Sequence, residues 1–425
     1  MQSFRARVLT PDLDGPGSHP LRWIPDAHVV IDDAGRLVEV APYTGQPVDE
    51  DLRPGVLLPG FVDGHVHYPQ TRIVGSASGP LLEWLQRSTF PEESRFSDDT
   101  HAREVARIFC AALASAGTTL AFVYASRHET AADAVLDALD QAGLRALVGP
   151  VWMDARSPDA LTISAERSEE AVRRLADRWH GHDDRLQVAV IPRFAVTSSE
   201  AGLRRAGDLS RELGLWATTH LAENTAECDT VAELFGRRYL QVYEDAGLVH
   251  DRSVFAHCIH LTDAEWDRFA AAGAVVAHCP DSNAFLGSGN MPTGAVVSRD
   301  IPVIIGIDVA AGRSFRVPRI LSSAYDNALA AGHELTPATL LWWGTRSGAL
   351  ALGHDHIGAV APGLDADLVL VDVPPWVDDA DGVLAWTLFY ADAPLPRRTW
   401  VRGRVIWDRD AHAARGGVFP WDLPG

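Results

Sequence analysis

The sequence predicts an α/β chain in which a (β/α)8 barrel of the TIM type carries a small β-sandwich built from both termini. Three observations predict it. Between residues 61 and 309, apolar, β-branched runs recur eight times. Amphipathic stretches of helical period separate most of these runs, the pattern of a barrel with parallel strands. On either side of that region the chain reads as short strands and turns only. A doubly wound sheet is the alternative, but no Gly-x-Gly-x-x-Gly follows the first strand.

Residues 1–58 are the N-terminal part of the sandwich. His28–Asp32 and Arg36–Val40 flank Asp33-Ala34-Gly35, a hairpin signal. The barrel occupies 59–357, with strands at about 61–67, 118–125, 144–152, 186–193, 215–222, 253–258, 274–279 and 303–309, to within roughly 2–4 residues. Ser97, Asp98 and Asp99 begin a helix that carries Ala102, Val105, Ala106 and Phe109 on one face and stops before Gly117. Ser164 begins another, with Val172, Leu175 and Trp179 inward. From 358 to 425 short strands return, around Asp367–Asp372 and Thr399–Trp407, to pair with the N-terminal ones.

Composition narrows the function. A net charge of −20 opposes binding to nucleic acid or to anionic lipid and favours a small neutral or cationic substrate. No apolar run approaches the roughly 20 residues that span a bilayer, and the first residues read as a strand rather than a signal peptide. Cys110, Cys228, Cys258 and Cys279 are scattered without a Cys-x-x-Cys, so reduced thiols and a cytoplasmic location are expected. All 37 basic residues are arginine. Without lysine there is no Schiff-base chemistry and no carboxylated lysine to bridge two metals, so a hydrolytic centre here should hold one ion.

The chemistry lies where strands end, on the C-terminal face of a barrel. His65 and His67, two apart on the first strand, point to one face. Taken alone, such a pair is more often core packing than a metal site. The fifth strand ends in His220, with Glu223 three residues on; the sixth carries His257, the seventh His278, the eighth Asp308. Each has a bland explanation: a lone histidine is commonly just hydrogen-bonded, and Glu223 would serve as a helix cap. Together, imidazoles and a carboxylate at matching heights suit one divalent ion, Zn2+ before Fe2+, with a position left for water.

These residues resemble the amidohydrolase superfamily, and within it the guanine deaminases, over nearly the whole chain. The narrower likeness rests on His65-Val-His67-Tyr-Pro-Gln70-Thr71, Thr89-Phe-Pro-Glu92, Pro192-Arg193-Phe194-Ala195, His220-Leu-Ala-Glu223-Asn224, His278-Cys-Pro280 and Asp308. The resemblance implies that His65, His67, His220 and Asp308 hold the metal and that Glu223 shuttles protons. It implies that His257 orients either the attacking water or the substrate, and that Gln70, Arg193 and Phe194 hold the base. Phe194 would stack on the ring or serve as core, its N–H free to bind in either case. The implied reaction is attack of activated water on the amino-bearing carbon of guanine, with loss of ammonia to leave xanthine. A homodimer is implied as well.

Arg72, Trp152, Asp281 and Arg313 depart from the guanine deaminase pattern. Arg72 and Arg313 follow strand ends, so they either line the pocket mouth or face solvent and pair with carboxylates. In the first case the substrate carries a group that guanine lacks, as in 8-oxoguanine, a pterin or another substituted purine. A triazine is a further alternative, and a barrel that binds a ligand without catalysis is the reading from outside the enzymes.

Overall fold

The computed structural model describes residues 1–15, 19–76, 79–418 and 422. Eight barrel strands follow the expected spacing: Phe61–His67, Thr118–Tyr124, Arg145–Gly149, Leu186–Pro192, Trp216–Leu221, Ser253–His257, Val275–His278 and Val303–Ile305. They pair in parallel, in chain order, from the first to the eighth. Nearly every strand residue is buried, as a barrel packed inside by side chains and outside by helices requires. Seven of the eight strands end earlier than the apolar runs suggest, the third and eighth by the most. Pro150 interrupts the third run, and Val151–Trp152 pair separately with Ile191 and Pro192. Ala222 and Asp308 take positive φ, 49° and 45°, which ends the extended conformation of the fifth and eighth runs.

The barrel closes through the site rather than through a regular ladder. Asp308 N–H donates to His65 O at 2.8 Å, and the buried Asp63 carboxylate accepts from His65 N at 3.1 Å and Ile307 N at 3.0 Å. The two strands approach so closely that a Cβ on Gly64 would lie 2.5 Å from Ile304, and one on Gly306 would lie 2.8 Å from the His65 Cβ. Larger residues there would push His65 away from Asp308.

Helix limits follow side-chain chemistry. Asp98, not Ser97, caps Asp99–Ala116, accepting from Thr100 N and His101 N. Ser164 caps Ala165–Trp179, which buries Val172, Leu175 and Trp179 as expected.

Strands from both termini form one seven-stranded mixed sheet. A parallel pair, Gln2–Pro11 with Glu50–Pro59, lies inside it, and Leu368–Val371 joins it antiparallel to the latter. The sheet curls until Phe4 and Trp400 are 6.0 Å apart, centroid to centroid, enclosing a core of its own. Its link to the barrel is electrostatic as well as apolar. Arg145, fully buried at the base of the third barrel strand, donates to Asp367 at 2.8 Å and to Asp365 at 2.6 Å. Cutting that link leaves two desolvated carboxylates behind. Arg145→Ala should therefore lower stability by about 3–5 kcal/mol, read as a leftward shift of the urea unfolding curve, with the active site unchanged.

Candidate active site

The His-x-His pair behaves as strand geometry requires: the His65 and His67 Nε2 atoms stand 3.1 Å apart. His220 brings its Nε2 to 3.2 Å from that of His67, and Asp308 Oδ1 lies 3.4 Å from both His65 and His67. His65, His67 and Asp308 are buried and His220 is partly buried. His220 donates from Nδ1 to the Arg193 carbonyl at 2.7 Å, which leaves its Nε2 as a lone pair facing inward. Burial lowers the pKa of all three imidazoles, and the neighbouring imidazoles add to the effect at His67 and His220. Imidazoles that turn Nε2 lone pairs towards one another at this distance, as the Nδ1 bond makes His220 do, repel unless a cation sits between them. Four donors about 2.0–2.1 Å from one ion would stand about 3.3 Å apart at tetrahedral angles, close to the separations found here. The residues present thus fit a divalent ion.

A second grouping of potential ligands, His65, His257, Cys279 and Asp308, overlaps the first. It fits less well. Burial holds the Cys279 thiol well above its ordinary pKa, and His257 is committed elsewhere, with Nδ1 2.8 Å from Asn283 Oδ1 and Nε2 3.4 Å from Glu223. His257 also lies 4.0 Å from Asp308 Oδ2, so it stands between the two carboxylates. Burial alone would lower its pKa, but Glu223, Asp308 and the bond to Asn283 outweigh that and raise it.

Glu223 is no helix cap. Asn224 caps Thr225–Phe235 in a capping box with Glu227. Glu227 in turn accepts from the Glu223 backbone N–H at 3.0 Å, fixing where that residue leaves the strand. The Glu223 carboxyl accepts from Ser288 Oγ at 3.1 Å. Burial pushes its pKa up to about 7, so it can hold or release a proton near neutrality.

Beside these groups lies a pocket with Leu81, Trp84, Leu85 and Leu286 as apolar walls and Gln70, Arg193 and Phe194 among its other lining residues. Arg193 and Gln70 are joined by Glu93, which is 3 % exposed. Arg193 Nη1 donates to both Glu93 oxygens, at 2.8 and 2.7 Å, and Gln70 Nε2 donates to Oε1 at 3.0 Å. Gln70 Oε1 accepts from Ala310 N at 2.9 Å. Among the described residues the Phe194 N–H makes no hydrogen bond. Every residue expected at the site is therefore brought to it.

Arg72 and Arg313 do not line the pocket. Arg313 forms a two-pronged pair with the buried Asp281, at 2.6 and 3.1 Å, and its backbone N–H donates to the same carboxylate at 2.8 Å. Two departures from the pattern thus explain each other. Arg72 is exposed, with Nη1 3.4 Å from His101 Nδ1. Arg313→Ala should lower the unfolding temperature, by stranding Asp281, and leave guanine KM within about twofold. A large KM change in steady-state assays would put the arginine in the pocket after all.

The family model named Amidohydrolase family matches residues 56–406. The chain belongs to the amidohydrolase family. Amidohydrolases are metal-dependent hydrolases, and His65, His67 and His220, with Asp308 beside them, form a group that could hold a metal ion. It is 36% identical over 440 aligned positions to the probable guanine deaminase of Deinococcus radiodurans, covering 97% of this chain and 100% of the other. It is 36% identical over 374 residues to the guanine deaminase of Escherichia coli K12, covering 85% of each. The solved structure of the E. coli guanine deaminase superimposes with a TM-score of 0.89 over 96% of this chain and all of that one, at 33% identity.

Sequence reading missed four residues of this amidohydrolase's site. Asp63 stands two residues before the His65-x-His67 motif and is assigned no part by it. Glu93 immediately follows the quoted Thr89–Glu92 segment, and two carboxylates after Pro91 were the available signal. Asn283, in the short helix Pro280–Phe285, and Ser288, in the loop beyond it, belong to two further segments that resemble the guanine deaminases, Ser282-Asn283 and Phe285–Gly289, but the likeness assigns them no role, and their partners are 26 and 65 residues away.

Proposed function

We propose that this amidohydrolase converts guanine and water to xanthine and ammonia, with His65, His67, His220 and Asp308 holding one zinc ion. The observation that carries the reading is the joining of that donor set to a small pocket with a polar end. Arg193 and Gln70 present N–H groups there, suited to a purine carbonyl. The similarity to guanine deaminases supports the same substrate.

A divalent ion supplies Lewis acidity, bringing the pKa of water down to about 7. The chain's own groups do the rest. Asp308, with Oδ2 directed towards His257, accepts the proton of the attacking water. Glu223 gives its proton to a ring nitrogen; the two protons of the water, collected by Asp308 and passed across to Glu223, then convert the departing amine to neutral ammonia and restore Glu223. His257, anchored by Asn283, lies between these two carboxylates and orients the reacting groups. Arg193 and Gln70 hold the carbonyl end, and the free Phe194 N–H is placed to bind a ring nitrogen. The leucines and Trp84 exclude water from the faces of the base.

The test is ammonia release from a panel of guanine, 8-oxoguanine, pterins and triazines. Guanine should lead by kcat/KM, and leadership by any other member would displace it. Arg193→Met should raise guanine KM by about tenfold or more, as expected for lost charge-assisted hydrogen bonds, with a smaller change in kcat. We further propose a cytoplasmic homodimer. Four unpaired cysteines support the location, and gel filtration tests the assembly. Among the described residues no helix is long and apolar enough to cross a membrane.

A further inference from the structure

We propose that Glu93 is a specificity-determining positioning residue: it fixes the polarity of the carbonyl-binding end of the pocket so that only hydrogen-bond donors face the substrate. The inference rests on the guanine reading above and deepens it.

A glutamine amide offers a donor at one end and an acceptor at the other, so Gln70 alone would accept a purine bearing either an oxo or an amino group at that position. Here both ends are assigned. Oε1 is occupied by the Ala310 N–H at 2.9 Å, and Nε2 is drawn to the Glu93 carboxylate at 3.0 Å. A flip of the amide would set its oxygen against a carboxylate and its NH2 against a backbone N–H. Two buried repulsions would replace two buried hydrogen bonds. What Gln70 has left for a ligand is the second hydrogen of Nε2, a donor.

The same carboxylate holds Arg193. Both oxygens accept from Nη1, and the guanidinium lies over the Phe90 ring with Cζ 5.5 Å from the centroid. Among the described residues no hydrogen bond engages Arg193 Nε or Nη2, so those donors remain for a ligand. Glu93 also compensates the buried arginine charge, leaving the end of the pocket donor-rich without a net positive charge. An oxo group is bound there, and an exocyclic amine is turned away. Through Gln70 the arrangement reaches Ala310, two residues beyond Asp308, so the carbonyl end and the hydrolytic end are held in one register.

The experiment compares Glu93→Gln with wild type, using the KM of guanine and the inhibition constant of 2-aminopurine against guanine. The second ligand is guanine without its oxo group. Glu93→Gln should raise guanine KM about tenfold or more, leave the 2-aminopurine constant within about threefold, and change kcat less than KM. Glu93→Asp, which keeps the charge but shortens the reach, should shift guanine KM in the same direction by less and remain measurable if the glutamine variant folds poorly. Equal shifts for both ligands would mean a merely structural role and overturn the proposal, as would no shift for either. Wild-type protein that releases no ammonia from guanine would instead refute the functional reading itself.

Discussion

Glu223→Gln should lower kcat for guanine by about 10²–10⁴-fold, the usual worth of a positioned acid–base group, with KM changed far less. The amide keeps the shape and the contact with Ser288, 3.1 Å from the present carboxyl oxygen, but cannot carry a proton between water and the leaving amine. Metal content should stay at the wild-type level, because Glu223 lies outside the ligand cluster, so the loss is assignable to proton transfer. The variant should also fold. In the metal-free chain, burial raises the carboxyl pKa from its ordinary value of 4.5 to about 7. A raised acid pKa means that the folded state binds the proton more tightly than the unfolded state. Wild-type stability therefore declines as pH rises between about 4.5 and 7, and is lowest above that window. Glutamine removes the dependence, so metal-free Glu223→Gln should be at least as stable as metal-free wild type at pH 8 in a denaturant titration. A variant with full activity would remove Glu223 from the mechanism.

Asp308→Asn should be at least as damaging to kcat, for two reasons acting together. The amide can still place an oxygen near His65 and His67, but it is a weaker ligand and cannot accept the proton of the attacking water. Burial alone would raise the pKa of Asp308, yet His65 and His257 outweigh it and hold the group below its ordinary value. It therefore stays ionised and ready as a base. The expected result is a kcat loss of about 10³-fold or more with reduced metal content by elemental analysis. Loss of metal with activity fully restored by excess zinc would limit Asp308 to a ligand's role.

The barrel was legible because its strands are buried on both sides and read as continuous apolar runs, whose spacing fixed the strand ends to within a few residues. The ligand set was legible because each member sits at such an end, and because His65 and His67 share a face by strand geometry alone. What stayed hidden depends on distance in sequence. Glu93 gains its meaning from Arg193, 100 residues on, and nothing local separates it from Glu92, whose carboxylate instead meets Arg95 at 3.0 Å. Asp63 acquires a role only when the eighth strand returns to the first. Arg313 follows a strand end, which left both the pocket mouth and a carboxylate partner open, and only the fold shows Asp281 beneath it. The termini were expected to form a sandwich, and they enclose a core as one would, but through a single curled sheet.

In the proposed mechanism one divalent ion, held by His65, His67, His220 and Asp308, works with the Glu223 pocket to deaminate guanine. The direct measurement is ammonia and xanthine production from guanine by chelator-stripped protein titrated with zinc. Activity should be negligible at zero metal and rise linearly to a break at one ion per chain, with xanthine equal to ammonia throughout. A break at two ions, or undiminished turnover by the stripped protein, would contradict it.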